Sequence, residues 1–273
     1  MIKIFVDSGS SIKEYEKEKY GVEILPLKIL LDNKEYLDGV DLSMDVFYDA
    51  LINKKLFPKT SLPSLEDAEK RVLDCVNEGY DVIVLTISSG ISGTNNAIKM
   101  LFKDNAKVRV IDSKSAVGGM RILVHEANKY REKSLDFVEE KLNELIPRIK
   151  VLAVPETLGY LHKGGRLSTA SWAVGTLLRV KPLITLNHTV KVDKKAIGIK
   201  SAMRAIITAL ENCDTNYPIV PSYTYSTENL DELILKTEDE YCEVMTEKDN
   251  LDPAIAAHWG PNAFGYIFVE KKD

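Results

Sequence analysis

The sequence lacks the motifs that identify the common nucleotide- and metal-dependent enzymes. It contains no GxxxxGK[ST], no GxGxxG after its first apolar segment and no HExxH. Its four histidines show no metal-ligand spacing with one another or with cysteine. These absences exclude the usual phosphate-loop, dinucleotide-binding and zinc-protease classes, and we expect neither a bound metal nor a cofactor.

The sequence also has few cysteines, no excess of positive charge and no long apolar run. The three cysteines lie far apart without a CxxC pair, which is typical of a reducing compartment. A net charge of −5 argues against a nucleic-acid partner. No apolar run approaches the ~20 residues that cross a bilayer, and no secretory-signal pattern precedes the apolar segment Ile2–Val6. We therefore expect a cytoplasmic protein without a transmembrane segment.

Strand-like and helix-like segments alternate along the first half of the chain. The strand-like segments are Ile2–Val6, Val82–Leu85 and Lys107–Ile111. Such alternation predicts an α/β fold with a mostly parallel sheet. The second half differs, because Pro182–Leu186 and Thr189–Val192 predict a β-hairpin across Asn187-His188. We predict two α/β domains, spanning residues 1–149 and 150–273.

Hydroxyl-rich loops follow the predicted strands. After Val82–Leu85 comes a loop with three serines (Ser88, Ser89 and Ser92) and two glycines, and a helix-like segment follows it. A strand that opens into a Gly/Ser turn before a helix can hold an anion on its backbone N–H groups and hydroxyls. The alternative is an ordinary connection whose serines cap the helix. Similar loops, Asp7–Ser11 and Asp112–Ser115, end at the same edge of the predicted sheet, where ligands bind in open α/β folds. Asp7 and the serines of the Asp7–Ser11 loop are also suitable caps for a helix over Ile12–Lys19.

The stretch Thr60-Ser61-Leu62-Pro63-Ser64 combines a helix cap with two further hydroxyls. Pro63 keeps the residues before it extended, and Ser64 is placed to cap a helix over Leu65–Asn77. Thr60 and Ser61 therefore remain available to a ligand.

His258 is the one obvious base, next to a Gly/Pro/Asn turn, and is either a structural residue or a functional one. A hydrolase would pair it with Ser89 or Ser92. The run Gly90-Ile91-Ser92-Gly93, however, falls one residue short of the GxSxG nucleophile elbow.

In combination, these motifs make the chain resemble the DegV family of bacterial fatty-acid-binding proteins. The stretches that carry the resemblance occur in the family's order: Asp7-Ser8, Thr60–Ser64, Ser88–Thr94, Asp112-Ser113-Lys114, Leu158–Ser168 and His258-Trp259-Gly260-Pro261. The resemblance implies two α/β domains with a long-chain fatty acid, such as palmitate, in a cleft between them.

The resemblance also implies site residues and a partner. It assigns the fatty-acid carboxylate to Thr60, Ser89 and His258, with Ser61 and Ser92 beside them, and it places Arg166 near the head group and the partner. It implies a carrier without catalytic residues, which presents the carboxylate to a separate ATP-dependent kinase for conversion to an acyl phosphate, with transient membrane contact at most. A lipid-responsive sensor and, less favoured, a Ser/His hydrolase or small-phosphate transferase are the alternatives.

Three positions depart from the family pattern. Leu62 stands where Gln is common, Asn262 replaces a glycine after the HxGP motif, and Lys200 stands where many members have arginine. Lysine keeps the charge but loses bidentate geometry, so Lys200 bears on partner docking more than on lipid binding.

Overall fold

The computed structural model describes residues 1–175 and 180–272. Its strands are β1 (Ile2–Asp7), β2 (Val22–Leu25), β3 (Lys28–Leu31), β4 (Lys34–Leu37), β5 (Lys59–Ser61), β6 (Asp81–Thr86), β7 (Val108–Asp112), β8 (Ile149–Val154), β9 (Val180–Asn187), β10 (Thr189–Ile197), β11 (Val220–Tyr223), β12 (Asp249–Asn250) and β13 (Phe264–Val269). Its helices are α1 (Glu14–Tyr20), α2 (Met44–Tyr48), α3 (Leu65–Asn77), α4 (Thr94–Leu101), α5 (Gly118–Lys129), α6 (Leu135–Leu145), α7 (Gly159–Lys163), α8 (Thr169–Gly175), α9 (Ile199–Leu210), α10 (Glu228–Leu235), α11 (Glu238–Tyr241) and α12 (Pro253–Trp259).

The first half is built on a parallel sheet with the order β2-β1-β6-β7. Its central strands, β1 and β6, are largely apolar and buried on both faces, as parallel strands covered by helices must be. This confirms the predicted α/β class and the parallel sheet. Because β1, β6 and β7 run in one direction, their hydroxyl-rich loops meet at one edge, where the Asp7 carboxylate accepts a hydrogen bond from the Ile87 N–H at 2.7 Å.

A small antiparallel sheet, ordered β4-β3-β5, flanks this unit. Strand β5 of this sheet lies just before Pro63, where extended backbone was predicted. Within it, Thr60 pairs with Ile29 of β3. The Ser64 hydroxyl accepts from the Asp67 N–H and caps α3, which confirms that part of the interpretation. Thr60 is therefore fixed by a strand while Ser64 is occupied at a helix end.

The second half forms a six-stranded sheet with the order β10-β9-β8-β13-β11-β12, in which only β11 and β12 pair in parallel within the described residues. The predicted hairpin is confirmed as β9 and β10, with longer strands than predicted and His188 at the tip. The new sheet starts with β8 at Ile149. The division at residues 149 and 150 thus coincides with a change of sheet, and the domain assignment remains a prediction.

The two halves share one hydrophobic core. Helix α5 packs against the second sheet, and a Cβ added at Gly118 would lie 2.8 Å from the Val220 side chain. The core around α5 includes Ile2 and Ile83 from the first half and Val220 and Ile267 from the second. Burial of this continuous apolar surface fixes the halves relative to each other and therefore fixes any site between them.

One local prediction about a helix cap needs correction. Asp7 does not cap a helix over Ile12–Lys19: its carboxylate caps the 3-10 turn Ser8–Ser10 by accepting from the Gly9 N–H, and α1 begins at Glu14. His258 occupies the last turn of α12, directly before the turn that the sequence predicts.

Candidate functional site

A histidine and a threonine from opposite halves of the chain meet at the centre of the molecule. The Thr60 Oγ1 on β5 lies 2.8 Å from the His258 Nε2 on α12. The strand holds Thr60 by its pairing with β3, and the alanines of α12 lie in the same apolar cluster as Ile29 of β3. The structure therefore brings together two of the residues that the family resemblance assigns to the carboxylate, and their role toward a ligand remains a prediction.

The surroundings of His258 keep its imidazole neutral. Burial, together with the nearby Arg166 cation, lowers the pKa of His258 to about 4. Gly164 approaches the ring so closely that a Cβ there would lie 2.3 Å from the His258 Nδ1, so this position requires glycine. Among the described residues, Nδ1 has no hydrogen-bond partner. A neutral ring can donate one hydrogen bond to an anion from either nitrogen.

Arg166 is a partly buried cation to which the described residues supply no acidic partner. Its Nε donates to the Ile91 carbonyl at 3.0 Å, and its Nη1 donates to the Gly164 carbonyl. Burial lowers the pKa of Arg166, although a guanidinium stays charged at any physiological pH. Of its five N–H groups, three remain for another partner.

A cavity of about 170 Å³ opens beside these groups. Its polar lining comes from Thr60, Ser61, Ser92, Arg166 and His258, and no acidic side chain of the described residues contributes. The rest of the lining is largely aliphatic, drawn from both halves, and includes Leu27, Leu62, Ile87, Ile91, Leu161, Leu186, Val190, Ile255 and Trp259. The cavity is thus amphipathic, with a cation and hydroxyls set among apolar walls.

The structure does not bring Ser89 to this lining. Its Oγ donates to the Asp112 Oδ2 at 2.6 Å, and its N–H donates to the Asp112 Oδ1 at 3.0 Å. Ser92 does line the cavity, and its Oγ lies 2.8 Å from the Thr94 Oγ1. One serine of this loop therefore faces the cavity and another fastens the loop to β7, while the N-cap of α4 is Gly93, without a side-chain hydrogen bond.

This arrangement does not match a Ser/His hydrolase. The His258 Nε2 is engaged by Thr60, while Ser89 and Ser92 bond to Asp112 and Thr94. No serine in the described chain is hydrogen-bonded to His258, so the nucleophile–base contact of a triad is not formed.

The tip of the hairpin closes one side of the site. The Ser88 hydroxyl donates to the His188 carbonyl at 2.5 Å, and the His188 N–H donates to the Lys114 carbonyl at 2.9 Å. Gly90 contacts the same peptide, and a Cβ at that position would lie 2.1 Å from the His188 oxygen. The hairpin thereby brings Leu186 and Val190 to the cavity, a role that its sequence alone did not reveal.

The three departures from the family pattern have different settings. Leu62 lines the cavity with its apolar side chain. Asn262 has a φ of +61°, a left-handed conformation that asparagine tolerates better than most residues, and its side chain donates to Glu156 at 2.7 Å. Lys200 is exposed in the first turn of α9, away from the cavity lining.

The fold and the site together define an α/β protein whose two halves enclose an amphipathic cavity with a cationic end. The comparisons assign the family. The model described as "Uncharacterised protein, DegV family" matches residues 1–271, and the chain belongs to this family. A DegV domain-containing protein of Clostridium acetobutylicum is 32% identical over 283 residues, covering 99% of both chains.

Solved structures agree with this assignment over the whole chain. A DegV family protein from Thermus thermophilus, described as fatty-acid-binding, matches with a TM-score of 0.86 and 27% identity. A stearic acid-binding protein from Eubacterium ventriosum matches with a TM-score of 0.86 and 28% identity. Each comparison covers 99% of both chains. In the part of the chain that is described, no helix has the length and apolar character needed to cross a bilayer.

Proposed function

We propose that this protein binds a long-chain fatty acid, such as palmitate, in the cavity between its two halves. The observation that carries the proposal is Arg166, a cation without an acidic partner in the described chain, at the polar part of an otherwise apolar cavity. A ligand with one anionic end and a long apolar body satisfies both features. The solved relatives described as fatty-acid-binding support the same ligand class.

The apolar walls supply most of the binding free energy in this proposal. Each buried methylene contributes ~0.8 kcal/mol, so a sixteen-carbon tail gains on the order of ten kcal/mol before the costs of association. No polar recognition of the tail is required. Aliphatic side chains from both halves, such as Ile87, Leu186 and Ile255, are sufficient to exclude water from it.

The carboxylate needs donors, because moving it out of water costs several kcal/mol when its hydration is not replaced. We assign this role to the free N–H groups of Arg166, to the hydroxyls of Thr60, Ser61 and Ser92, and to His258. Hydrogen bonds to an ionised acceptor are roughly twice as strong as neutral ones. The family resemblance implies that Ser89 contacts the carboxylate directly. We instead assign Ser89 a supporting role, because its hydrogen bonds to Asp112 hold the loop that carries Ser92.

We further propose that the protein is a carrier and not the catalyst. The sequence contains no nucleotide-binding motif, so phosphorylation of the bound carboxylate requires a separate ATP-dependent kinase. Most of the proposed donors are neutral hydroxyls, which leaves a carboxylate oxygen able to accept the phosphoryl group. The acyl phosphate would then feed lipid metabolism. Cys75, Cys213 and Cys242 are free thiols, which supports a cytoplasmic setting for this exchange.

The first experiment is lipid extraction from protein purified without detergent, read by mass spectrometry against Arg166→Gln. We expect about one long-chain fatty acid per chain in the natural protein and a clear loss in the variant. If the natural protein holds no lipid even after incubation with palmitate, the proposal is contradicted.

A second experiment tests the carrier role separately. The lipid-loaded protein is incubated with a fatty-acid kinase subunit and ATP, and acyl phosphate is trapped as the hydroxamate. Product that depends on both proteins supports the carrier role. Bound lipid without product would instead favour the sensor alternative.

A further inference from the structure

A second, smaller cavity lies next to the one that holds the proposed carboxylate site. It encloses about 30 Å³ between the start of α5 and the central strands of the second sheet. Its walls are almost entirely apolar and include Val117, Val151, Leu152, Leu251, Phe264 and Ile267. A space of this size holds roughly two water-sized groups. Because its lining offers few polar partners, methylenes suit it better than water does.

Trp259 belongs to the walls of both cavities. It also packs against the large shared core and against the small cluster formed by Leu158, Leu161, Leu167 and Ile184. Its neighbour on α12 is His258, so the position of the indole is fixed relative to the proposed carboxylate site. One side chain therefore stands between the two spaces.

The chain at Ala116 and Val117 also separates the two cavities. Ala116 lines the first cavity and the next residue, Val117, lines the second. Val117 has a φ of +43°, which is unusual for a β-branched residue, and its N–H donates to the Gly9 carbonyl at 2.7 Å. Gly118 packs directly on Val220 behind it. This part of the partition has little room to move, so the side chain of Trp259 is its adjustable part.

We propose that Trp259 sets the length of the acyl chain that the protein accepts, by closing the first cavity toward the second. The inference rests on the proposed function, since it presupposes an acyl ligand. A smaller residue at this position joins the two cavities and adds the volume of the indole to them. The joined space then accepts tails longer by about two to four carbons, given the room for water-sized groups in the second cavity.

The test measures chain-length preference directly. Delipidated protein is incubated with an equimolar mixture of saturated fatty acids from twelve to twenty-two carbons in excess, and the retained lipid is quantified by mass spectrometry. The variants are Trp259→Ala and the more conservative Trp259→Phe, which keeps an aromatic side chain if alanine prevents folding. The matched control is Trp172→Ala, because Trp172 stacks on His162 with ring centroids 4.7 Å apart and lines neither cavity.

We expect the ratio of twenty- to sixteen-carbon acid to rise about tenfold in Trp259→Ala, which corresponds to about two further buried methylenes. The rise should be smaller in Trp259→Phe, and Trp172→Ala should keep the natural preference. A natural distribution in both folded Trp259 variants would overturn the inference and leave the proposed function standing. If the natural protein retains no acid of any length, the proposed function fails and the inference fails with it.

Discussion

A buried arginine and a partly buried arginine in this molecule have opposite electrostatic settings. Arg121 on α5 lies 3.0 Å from Glu16 and 3.2 Å from Asp249, and the charges of these acids raise its pKa although burial opposes this. Arg166 donates to two backbone carbonyls, and its pKa is lowered by burial. Arg121 is therefore neutralised within the fold, whereas Arg166 keeps N–H groups that can donate to a ligand.

The difference separates a structural charge from a functional one. Glu16 is on α1, Arg121 on α5 and Asp249 on β12, so the first set of charges joins the two halves and is complete without a ligand. Arg166 lies at a cavity and costs desolvation energy that nothing acidic in the described chain returns. A fold that retains such a cation is stabilised when an anion arrives, and this is the physical basis of the proposed site.

The largest effect should come from removing the neutralised arginine. Arg121→Ala leaves Glu16 and Asp249 buried without their shared partner, and breaking such a pair typically costs about 3–5 kcal/mol. Urea unfolding should show this as a lowered midpoint with an unchanged slope.

Arg109→Ala is the control for this first prediction. Arg109 pairs at the surface with Asp136 and Glu139, and exposed pairs contribute about 0–1 kcal/mol. Equal losses of stability in Arg121→Ala and Arg109→Ala would contradict the structural importance of the buried charges around Arg121.

Arg166→Gln should show the opposite profile. The empty protein should unfold at nearly the natural midpoint, because a desolvated cation is removed. Affinity for palmitate should fall by about 10- to 100-fold, the range for losing hydrogen bonds to a charged group of about 1.5–3 kcal/mol. Fluorescent fatty-acid displacement measures the affinity, and an unchanged value would refute the assignment of Arg166.

Thr60 and Ser64 provide a smaller and sharper contrast within one motif. Thr60→Val removes the hydroxyl that bonds His258 and should weaken fatty-acid binding about fivefold, the scale of one hydrogen bond of ~1 kcal/mol. Ser64→Ala removes the cap of α3 and should lower stability by ~1 kcal/mol without changing affinity. Ser89→Ala and Ser92→Ala extend the test, with the larger loss of binding expected for Ser92.

The last contrast is a difference in pH window between the two regions. Burial raises the pKa of the Glu16 carboxyl, but the neighbouring His125 and the charge of Arg121 outweigh this effect and lower the pKa to about 2. Glu16 therefore contributes stability that is present above its unfolded pKa near 4.5 and is lost as pH falls toward 2. His258 has a pKa lowered to about 4, so the unfolded chain binds more protons between pH 6.5 and 4, and stability falls as pH falls through that window.

Delipidated His258→Gln separates these two contributions. The stability advantage of the natural protein over the variant should change as pH falls from 6.5 to 4, whereas both proteins should share the decline below pH 4.5. Unfolding midpoints measured in small pH steps provide the check, and a natural slope between 6.5 and 4 in the variant would contradict the assignment.

Local signals in the sequence were sufficient for much of the fold. Pro63 and Ser64 act on their immediate neighbours, so the end of β5 and the start of α3 followed from them. The alternating apolar runs likewise predicted the parallel sheet. The residues of the site were found by resemblance to a family, and their meeting at one cavity depends on contacts that no local pattern contains.

The predictions that failed or were missing involve distant partners. Asp7 suited a helix cap until the structure supplied Ile87 as its second donor, 80 residues away. The family resemblance assigned Ser89 to the ligand, and nothing in its own loop indicates that Asp112 binds it. The contributions of the hairpin and of Trp259 to the cavity also arise from packing between the two halves.

The contact between Thr60 and His258 also determines when the site can exist during synthesis. The two residues are 198 positions apart, so at 5–20 residues per second a ribosome needs roughly 10 to 40 seconds to supply the second after the first. The hydrogen bond from Ser88 to the His188 carbonyl likewise forms only after the hairpin tip, 100 residues later, has been synthesised. Throughout this interval the nascent chain exposes the aliphatic walls of an unfinished cavity, and a truncated chain would lack the histidine that completes it.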